Sequence, residues 1–284
     1  MDKKKFFIIG SNGQLAREFI RVFTARKISF AAPAEDVVSL TDVQGLHKAI
    51  MAENPDHVLN CAAYNNVEEA ERDPGIAYAV NAQAVKDLAE LCHSNKISLV
   101  HFGTDYVFDG TKMNFYTEAD APNPLNHYGQ SKLQGELYIQ KAMTDYLLFR
   151  LSWVIGHGTQ NFLYKLNTWA AQKPVLQVSA DEVSVPTFVE DVVEVVLAAV
   201  DKKLSGLYHL TNSGYASRYE LARKYIEGKK LNNLVIPVPM DAFPSKVRRP
   251  KFTAMSNAKL SKDAGIIIPT WESALMRYIN QSGS

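Results

Sequence analysis

Cysteine is scarce: Cys61 and Cys92 are the two thiols in a chain of 284 residues. They form neither a CxxC nor any metal-ligand spacing, which excludes a disulfide scaffold and a cysteine zinc site. They read as buried thiols of a reducing compartment. Long apolar runs are also missing, and no stretch approaches the roughly twenty residues a membrane-spanning helix needs. The charged start leads into Phe6-Phe7-Ile8-Ile9, but Gly10-Ser11-Asn12-Gly13 ends that run too early for a secretory signal. An excess of one charge is lacking too. Thirty-one Lys and Arg balance thirty Asp and Glu for a net charge of +1, so nothing draws the chain to nucleic acid or an anionic membrane. With no internal repeat and no low-complexity linker either, the expectation is a cytoplasmic globular protein with ligands in local sites and no metal.

What is present is an ordinary core composition, 46% hydrophobic and 21% charged, enough for one large domain with a smaller one beside it. Over the first 155 residues short apolar runs (6–10, 28–32, 57–62, 97–103 and 146–153) alternate with helical spacing (14–27, 43–53, 76–95 and 128–143). This is the signature of βαβ units around a parallel sheet. Unbroken apolarity such as Leu147-Leu148-Phe149 suits strands covered on both faces. Beyond Trp153 the texture changes to a helix at 161–172, strands at 175–178 and 183–187, and a strongly periodic helix at 188–202. A strand at 207–210, a helix at 217–227 and a Pro- and Lys/Arg-rich loop at 237–251 follow. The expected fold is α/β: a doubly wound, Rossmann-type parallel sheet from residues 1–151 and 188–203, with a smaller α/β substrate-binding lobe from 152–187 and 204–284. Ligands of such folds bind at the carboxyl ends of the strands.

Gly10-Ser11-Asn12-Gly13-Gln14-Leu15-Ala16 follows the first strand and opens the first helix. Gly10 permits a tight turn, Gly13 lets backbone approach a pyrophosphate, and Ala16 allows close helix–strand packing. An acid about twenty residues further on would hold the ribose 2′-hydroxyl of NAD. Here the second strand ends Phe30-Ala31-Ala32-Pro33-Ala34, and Glu35 and Asp36 come late. The reading is therefore NADP(H) as preferred cofactor, with NAD(H) accepted.

Tyr128-Gly129-Gln130-Ser131-Lys132 places a phenol and an ammonium four residues apart on one helix face. A cation near a phenol favours its ionised form and brings its pKa toward the working pH. About two dozen residues earlier a strand ends in Thr104-Asp105-Tyr106-Val107-Phe108-Asp109-Gly110, at the sheet edge that carries the glycine loop. A hydroxyl there can hydrogen-bond a reacting carbonyl while Tyr128 supplies the proton.

These motifs, with Asn60-Cys61-Ala62-Ala63-Tyr64, resemble the extended short-chain dehydrogenase/reductases, and among them the dTDP-4-dehydrorhamnose reductases. Phe149-Arg150-Leu151-Ser152-Trp153-Val154, Asp181 to Thr187, Gly206-Leu207-Tyr208-His209-Leu210 and Arg248-Arg249-Pro250 extend the likeness along most of the chain. The resemblance implies NAD(P)H-dependent reduction of a sugar C4 ketone, giving dTDP-L-rhamnose for cell-surface polysaccharide. It makes Thr104, Tyr128 and Lys132 catalytic and places Thr104, Asp105 and Trp153 against a nucleotide-diphosphate sugar. Gly10 to Leu15 (Ser11, Asn12, Gly13 and Gln14 between them), Ala62, Ala63, Tyr64, Tyr128 and Lys132 would hold the cofactor. Some family members bind Mg²⁺ through glutamates at a homodimer contact; Glu190 alone does not make such a site.

The chain departs from the family at several points. Gly103 replaces the usual serine before the threonine, Asn65-Asn66 a threonine–alanine pair, and Ser39-Leu40 an acid at the adenine turn. Two rival readings stand beside the reductase. A nucleotide-sugar 4-epimerase or 4,6-dehydratase would share the Thr, Tyr and Lys, but dehydratases carry Asp-Glu after the threonine where this chain has Asp105-Tyr106. A non-catalytic cofactor-binding subunit, like that of methionine adenosyltransferase, would be expected to have lost that triad. The basic residues Lys246, Arg248, Arg249 and Lys251 either meet a substrate diphosphate or simply solvate a loop.

Overall fold

The computed structural model describes residues 4–281; the first three residues of the charged start and the last three of the expected lobe lie outside them. The first part of the chain runs β1 (Lys5–Ile9), α1 (Gln14–Arg26), β2 (Ser29–Ala31), α2 (Val43–Glu53), β3 (His57–Asn60), α3 (Val67–Arg72), α4 (Pro74–Tyr78), α5 (Ala84–Ser94), β4 (Ser98–Thr104), α6 (His127–Ala142) and β5 (Tyr146–Leu151). The second part runs β6 (Val154–Ile155), α7 (Phe162–Gln172), β7 (Val175–Ser179), β8 (Val183–Ser184), β9 (Thr187–Phe188), α8 (Val189–Asp201), β10 (Gly206–His209), β11 (Ala216–Ser217), α9 (Arg218–Gly228), β12 (Leu234–Val238), α10 (Ala258–Ala264) and α11 (Trp271–Gln281). No helix among the described residues is long and apolar enough to cross a membrane.

Six strands form one parallel sheet in the order β10-β5-β4-β3-β1-β2. Period two explains its burial on both faces. Phe6, Ile8, Leu147 and Phe149 pack with Phe19 and Phe23 of α1 and the valines of α8. Their neighbours Phe7, Ile9 and Leu148 pack on the other face, with Ile50, Leu88 and Ile139. Each such side chain, fully buried, contributes about 1.5–3 kcal/mol of transfer free energy. After β1 and β2 the chain returns to the opposite side of β1 with β3, so a crevice opens between the carboxyl ends of β1 and β3. That is the switch point where open α/β sheets bind ligands.

A third cluster is separate from the sheet. Leu163, Leu166, Leu221, Tyr225, Trp271 and Leu275 pack together from α7, α9 and α11. Residues 206–209 do not join it. Expected in the smaller lobe, they form β10 beside β5, because Leu207 and Tyr208 continue the two-faced burial of the main sheet. Three expected single elements are broken: the strand at 183–187 splits into β8, which pairs with β11, and β9, which pairs with β6. The helix at 76–95 is interrupted by a π-helical turn, Ala79–Gln83, which turns Asn81 inward so that it bonds Tyr64 and Ser131. The strand at 146–153 stops at Leu151, and Trp153 adopts a left-handed φ of 38°.

The connection from β4 to α6 carries the catalytic candidates at its two ends and is tied by two carboxylates. Asp109 accepts from the Thr111 N–H at 3.0 Å, the Thr111 hydroxyl, Asn123 and Tyr116, and these bonds hold it down at about 2. Asp120 accepts from Lys112 at 2.6 Å and from the Thr117 N–H and hydroxyl, and is likewise held at about 2. Both lie below the ordinary aspartate value of about 3.9. Their support for the fold is therefore complete above that value and is lost as pH falls toward 2. An Asp109→Asn/Asp120→Asn double variant should lose thermal midpoint less steeply than the parent between pH 4 and pH 2. Parallel slopes in the two melting series would contradict this assignment.

Candidate active site

The cofactor candidates meet at the switch point. Gly10 turns the chain after β1 with φ +78°, and a Cβ there would lie 2.8 Å from the backbone of Ala62. The turns after β1 and β3 therefore touch. Gly13 caps α1 without a side-chain bond, leaving first-turn N–H groups free for an anion. A cavity of about 840 Å³ lies over this corner, lined by Gly10, Asn12, Gly13 and Gln14 on one side and Ala62, Ala63 and Tyr64 on the other. These features fit a dinucleotide. Ser11 does not face the cavity; its hydroxyl donates to the Pro33 carbonyl at 2.9 Å and fastens the loop to the turn after β2. Leu15 lies largely beneath the loop and reaches the adjoining cavity. Glu35, counted in the sequence as too late, does line the far end, with Ser39 and Leu40.

The adjoining cavity, about 350 Å³, is shared by Thr104, Tyr128, Lys132 and Trp153, and it also has Gly13, Ala62 and Ala63 in its wall. Asn126 caps α6 by accepting from the Gly129 N–H at 2.9 Å, fixing where the helix starts and hence where Tyr128 and Lys132 point. The Tyr128 hydroxyl faces Thr104 and donates to Asn65 Oδ1 at 3.3 Å. Burial raises its pKa, the Thr104 contact works against this, and Asp105 and Tyr106 push it further up. Lys132, expected to pull it down, is not among the groups that set it, and the phenol holds its proton at neutral pH. Lys132 is almost wholly buried and donates to the Phe102 carbonyl at 2.7 Å. Burial lowers it to about 8, opposed by Glu136.

Asp105 lines the same cavity and is also a brace. Its carboxylate accepts from Ser184 at 2.8 Å, Thr253 at 2.5 Å and Thr104 at 3.3 Å, joining the end of β4 to β8 and the C-terminal segment. Burial raises its pKa, and the Thr253, Ser184 and Thr104 bonds oppose the rise. Trp153 stands over the site with the Arg218 guanidinium 3.6 Å from its ring centroid, a cation–π contact. Beyond it a third cavity, about 440 Å³, is walled by Phe162, Trp169, Phe243, Arg218 and Arg249. Of the basic loop, Arg249 lines this cavity and pairs with Glu68 at 2.6 Å. Lys251 pairs with Asp181, and Lys246 and Arg248 are exposed.

Sequence reasoning missed Asn65, Arg218 and the bracing of Asp105. A capping box of Ser217 and Glu220 marks where α9 begins, but only tertiary packing aims Arg218 at Trp153. Glu190 has His157 3.9 Å away, and no cluster of three or more His, Cys, Asp or Glu that could hold a metal occurs among the described residues.

Gly10→Ala should strain the turn and push Ala62 aside, lowering stability by about 1–3 kcal/mol and weakening NADPH binding at least tenfold. A fluorescence titration giving unaltered affinity would show that the turn is not the cofactor cradle.

Residues 4–284 match the family model described as the RmlD substrate binding domain. The dTDP-4-dehydrorhamnose reductase of Burkholderia thailandensis is 32% identical, over 95% of this chain and 96% of its own length. The crystal structure of a dTDP-4-dehydrorhamnose reductase from Clostridium acetobutylicum superposes with a TM-score of 0.95 at 31% identity, covering 99% of this chain and 100% of the other. That of the Bacillus anthracis reductase in complex with NADP gives 0.95 at 28%, covering 98% and 99%. The chain belongs to the RmlD family of dTDP-4-dehydrorhamnose reductases.

Proposed function

We propose that this protein reduces the C4 ketone of dTDP-4-dehydro-L-rhamnose to dTDP-L-rhamnose, with NADPH as reductant, in the supply of sugar for cell-surface polysaccharide. The observation that carries the reading is the convergence of Thr104, Tyr128 and Lys132 on one cavity that shares a wall with the glycine-loop cavity. The relatives' names supply the sugar.

Bound NADPH supplies hydride to C4. Thr104 donates a hydrogen bond to the carbonyl oxygen and Tyr128, which burial keeps protonated, gives it the proton; because burial also makes the phenol a weaker acid, the transfer depends on positive charge brought beside it. Lys132, fixed on the Phe102 carbonyl, turns its remaining N–H groups to the nicotinamide ribose and presents positive charge to the phenolate that forms. Asp105, tied to Ser184 and Thr253, fixes the end of β4 from which Thr104 projects, and the Thr104 hydroxyl turns from Asp105 to the substrate. Trp153, on its strained backbone and covered by Arg218, forms the wall against the sugar. Arg218 and Arg249 face the third cavity, where the substrate diphosphate would find two guanidiniums. The lobe that receives the nucleotide is built by residues 152–187 and the chain after β10 apart from α10, whose Leu260 and Ala264 pack into the sheet core; the separate hydrophobic cluster supports that division. A reaction that consumes NADPH and a nucleotide sugar belongs in the cytoplasm.

Dehydration is disfavoured by Tyr106. It lies edge-on to Tyr128 with ring centroids 5.7 Å apart, and burial pushes its pKa to about 12, so it cannot replace a glutamate base.

Supplied with the 4-keto sugar nucleotide, the protein should oxidise one NADPH per sugar and release the oxidised form. NADPH should be used at least as efficiently as NADH, and a preference for NADH above tenfold, about 1.4 kcal/mol, would contradict the cofactor assignment. Tyr128→Phe should lower kcat by about a hundredfold or more while NADPH still binds. Lys132→Met should also raise KM for NADPH. Near-normal turnover of Tyr128→Phe would remove the phenol from the mechanism.

A further inference from the structure

Behind the catalytic helix face lies a second set of buried charges that the mechanism above does not use. Tyr128, Lys132 and Glu136 follow one another at four-residue spacing on α6, and the last two are among its most buried residues. Glu136 has no exposed surface and is paired in fork geometry with Arg150 of β5, Nη2–Oε2 at 2.8 Å and Nε–Oε2 at 3.1 Å. Breaking a buried pair of this kind leaves an uncompensated charge and costs far more than an exposed one.

Room for the carboxylate comes from Gly103. A Cβ at that position would lie 2.3 Å from Glu136 Oε1 and 3.3 Å from Arg150 Cγ. This chain's departure from the family's serine therefore lies directly over the ion pair, between Phe102, whose carbonyl receives the Lys132 ammonium, and Thr104.

We propose that Glu136 is a positioning residue for the reduction: oriented by Arg150 in space left by Gly103, it supplies the countercharge that keeps Lys132 cationic beneath Tyr128. The inference rests on the assignment of Lys132 given above.

The other groups facing this region support it by their neutrality or distance. On β4, His101 bonds Asn60, and burial followed by Lys132 holds it well below the ordinary histidine range. On β10, His209 is lowered to about 3 by burial and then by Arg150. From the turn after β4, Asp105 is engaged by Ser184 and Thr253, and Tyr106 is neutral. Burial drives Lys132 toward the free amine, and Glu136 is the group that opposes it. Burial raises the pKa of Glu136, and the Arg150 charge and hydrogen bonds, followed by Lys132, oppose the rise. Lys132 acts as a cation, so activity that depends on it is present below its pKa and lost as pH rises through it. Removing Glu136 lowers that pKa and brings the loss to lower pH.

The test compares Glu136→Gln with the parent by two readouts. One is the pH profile of kcat/KM for NADPH. The other is the titration of the Lys132 side chain by NMR of isotopically labelled lysine without cofactor, assigned by its loss in Lys132→Met. Glu136→Gln should move both the alkaline limb and the lysine titration down by about one pH unit, so that it trails the parent by roughly ninefold at pH 9 and by roughly twofold at pH 7. Glu136→Asp should recover part of the shift. Because Glu136→Gln leaves Arg150 buried without its partner, Glu136→Gln/Arg150→Met provides the comparison in a core with neither charge, and a smaller downward shift is expected because a cation is removed along with the anion. An unmoved limb and titration in either folded variant, or a loss uniform across pH, would overturn the proposal. Full activity of Lys132→Met would instead overturn the assignment on which it rests, and the proposal with it.

Discussion

Burial of a single ammonium organises this molecule. Lys132 is about 1% exposed, and an unsupported charge at that depth would simply deprotonate. Its support comes from the Phe102 carbonyl at the end of β4, which accepts from it, and from the negative charge of Glu136 one turn along α6, which Arg150 of β5 holds in place. Each requires α6 to sit close against the carboxyl ends of β4 and β5. The same approach sets Tyr128 against Thr104. Placing the phenol and supporting the charge are one packing problem, solved by one helix.

The cavities follow from sheet order. With β3 and β2 on opposite sides of β1, the turns after β1 and β3 part at their tips but touch at Gly10 and Ala62, leaving a floor of backbone. The cavity over that floor shares Gly13, Ala62 and Ala63 with the one holding Tyr128, and the latter shares Trp153 and Arg218 with the aromatic and arginine-lined space beyond. One groove thus runs from backbone N–H groups suited to a pyrophosphate, past the Tyr128 hydroxyl, to the guanidiniums of Arg218 and Arg249. Asp105 and Arg249 cross-link its two walls, which come from distant parts of the chain.

Much of this is legible in the residues because it rests on local rules. Short unbroken apolar runs marked β1 and β4, the glycines marked the first turn, and the i, i+4 spacing marked Tyr128 and Lys132. What escaped depends on contacts that no local rule encodes. The π-helical turn at Ala79–Gln83 keeps helical hydrophobic spacing while redirecting Asn81. The backbone reversal at Trp153 sits inside a run that reads as continuous strand. β12 pairs with β7 although its sequence begins a proline-rich loop. Asp105 reads as a ligand because it follows Thr104, yet Ser184 and Thr253, far away in sequence, occupy its carboxylate. Gly103 reads as a mere substitution until Glu136 is seen in the space above it.

The central claim is that this groove brings a reduced nicotinamide and a sugar C4 ketone together for direct transfer. The most direct measurement uses NADPH carrying deuterium at both C4 positions of the nicotinamide, with dTDP-4-dehydro-L-rhamnose as acceptor, and locates the label in the product by NMR. The structure predicts dTDP-L-rhamnose with one deuterium at C4 of the sugar and none at C3 or C5. Deuterium elsewhere, or sugar product formed without label while the cofactor stays bound and recycled, would contradict it.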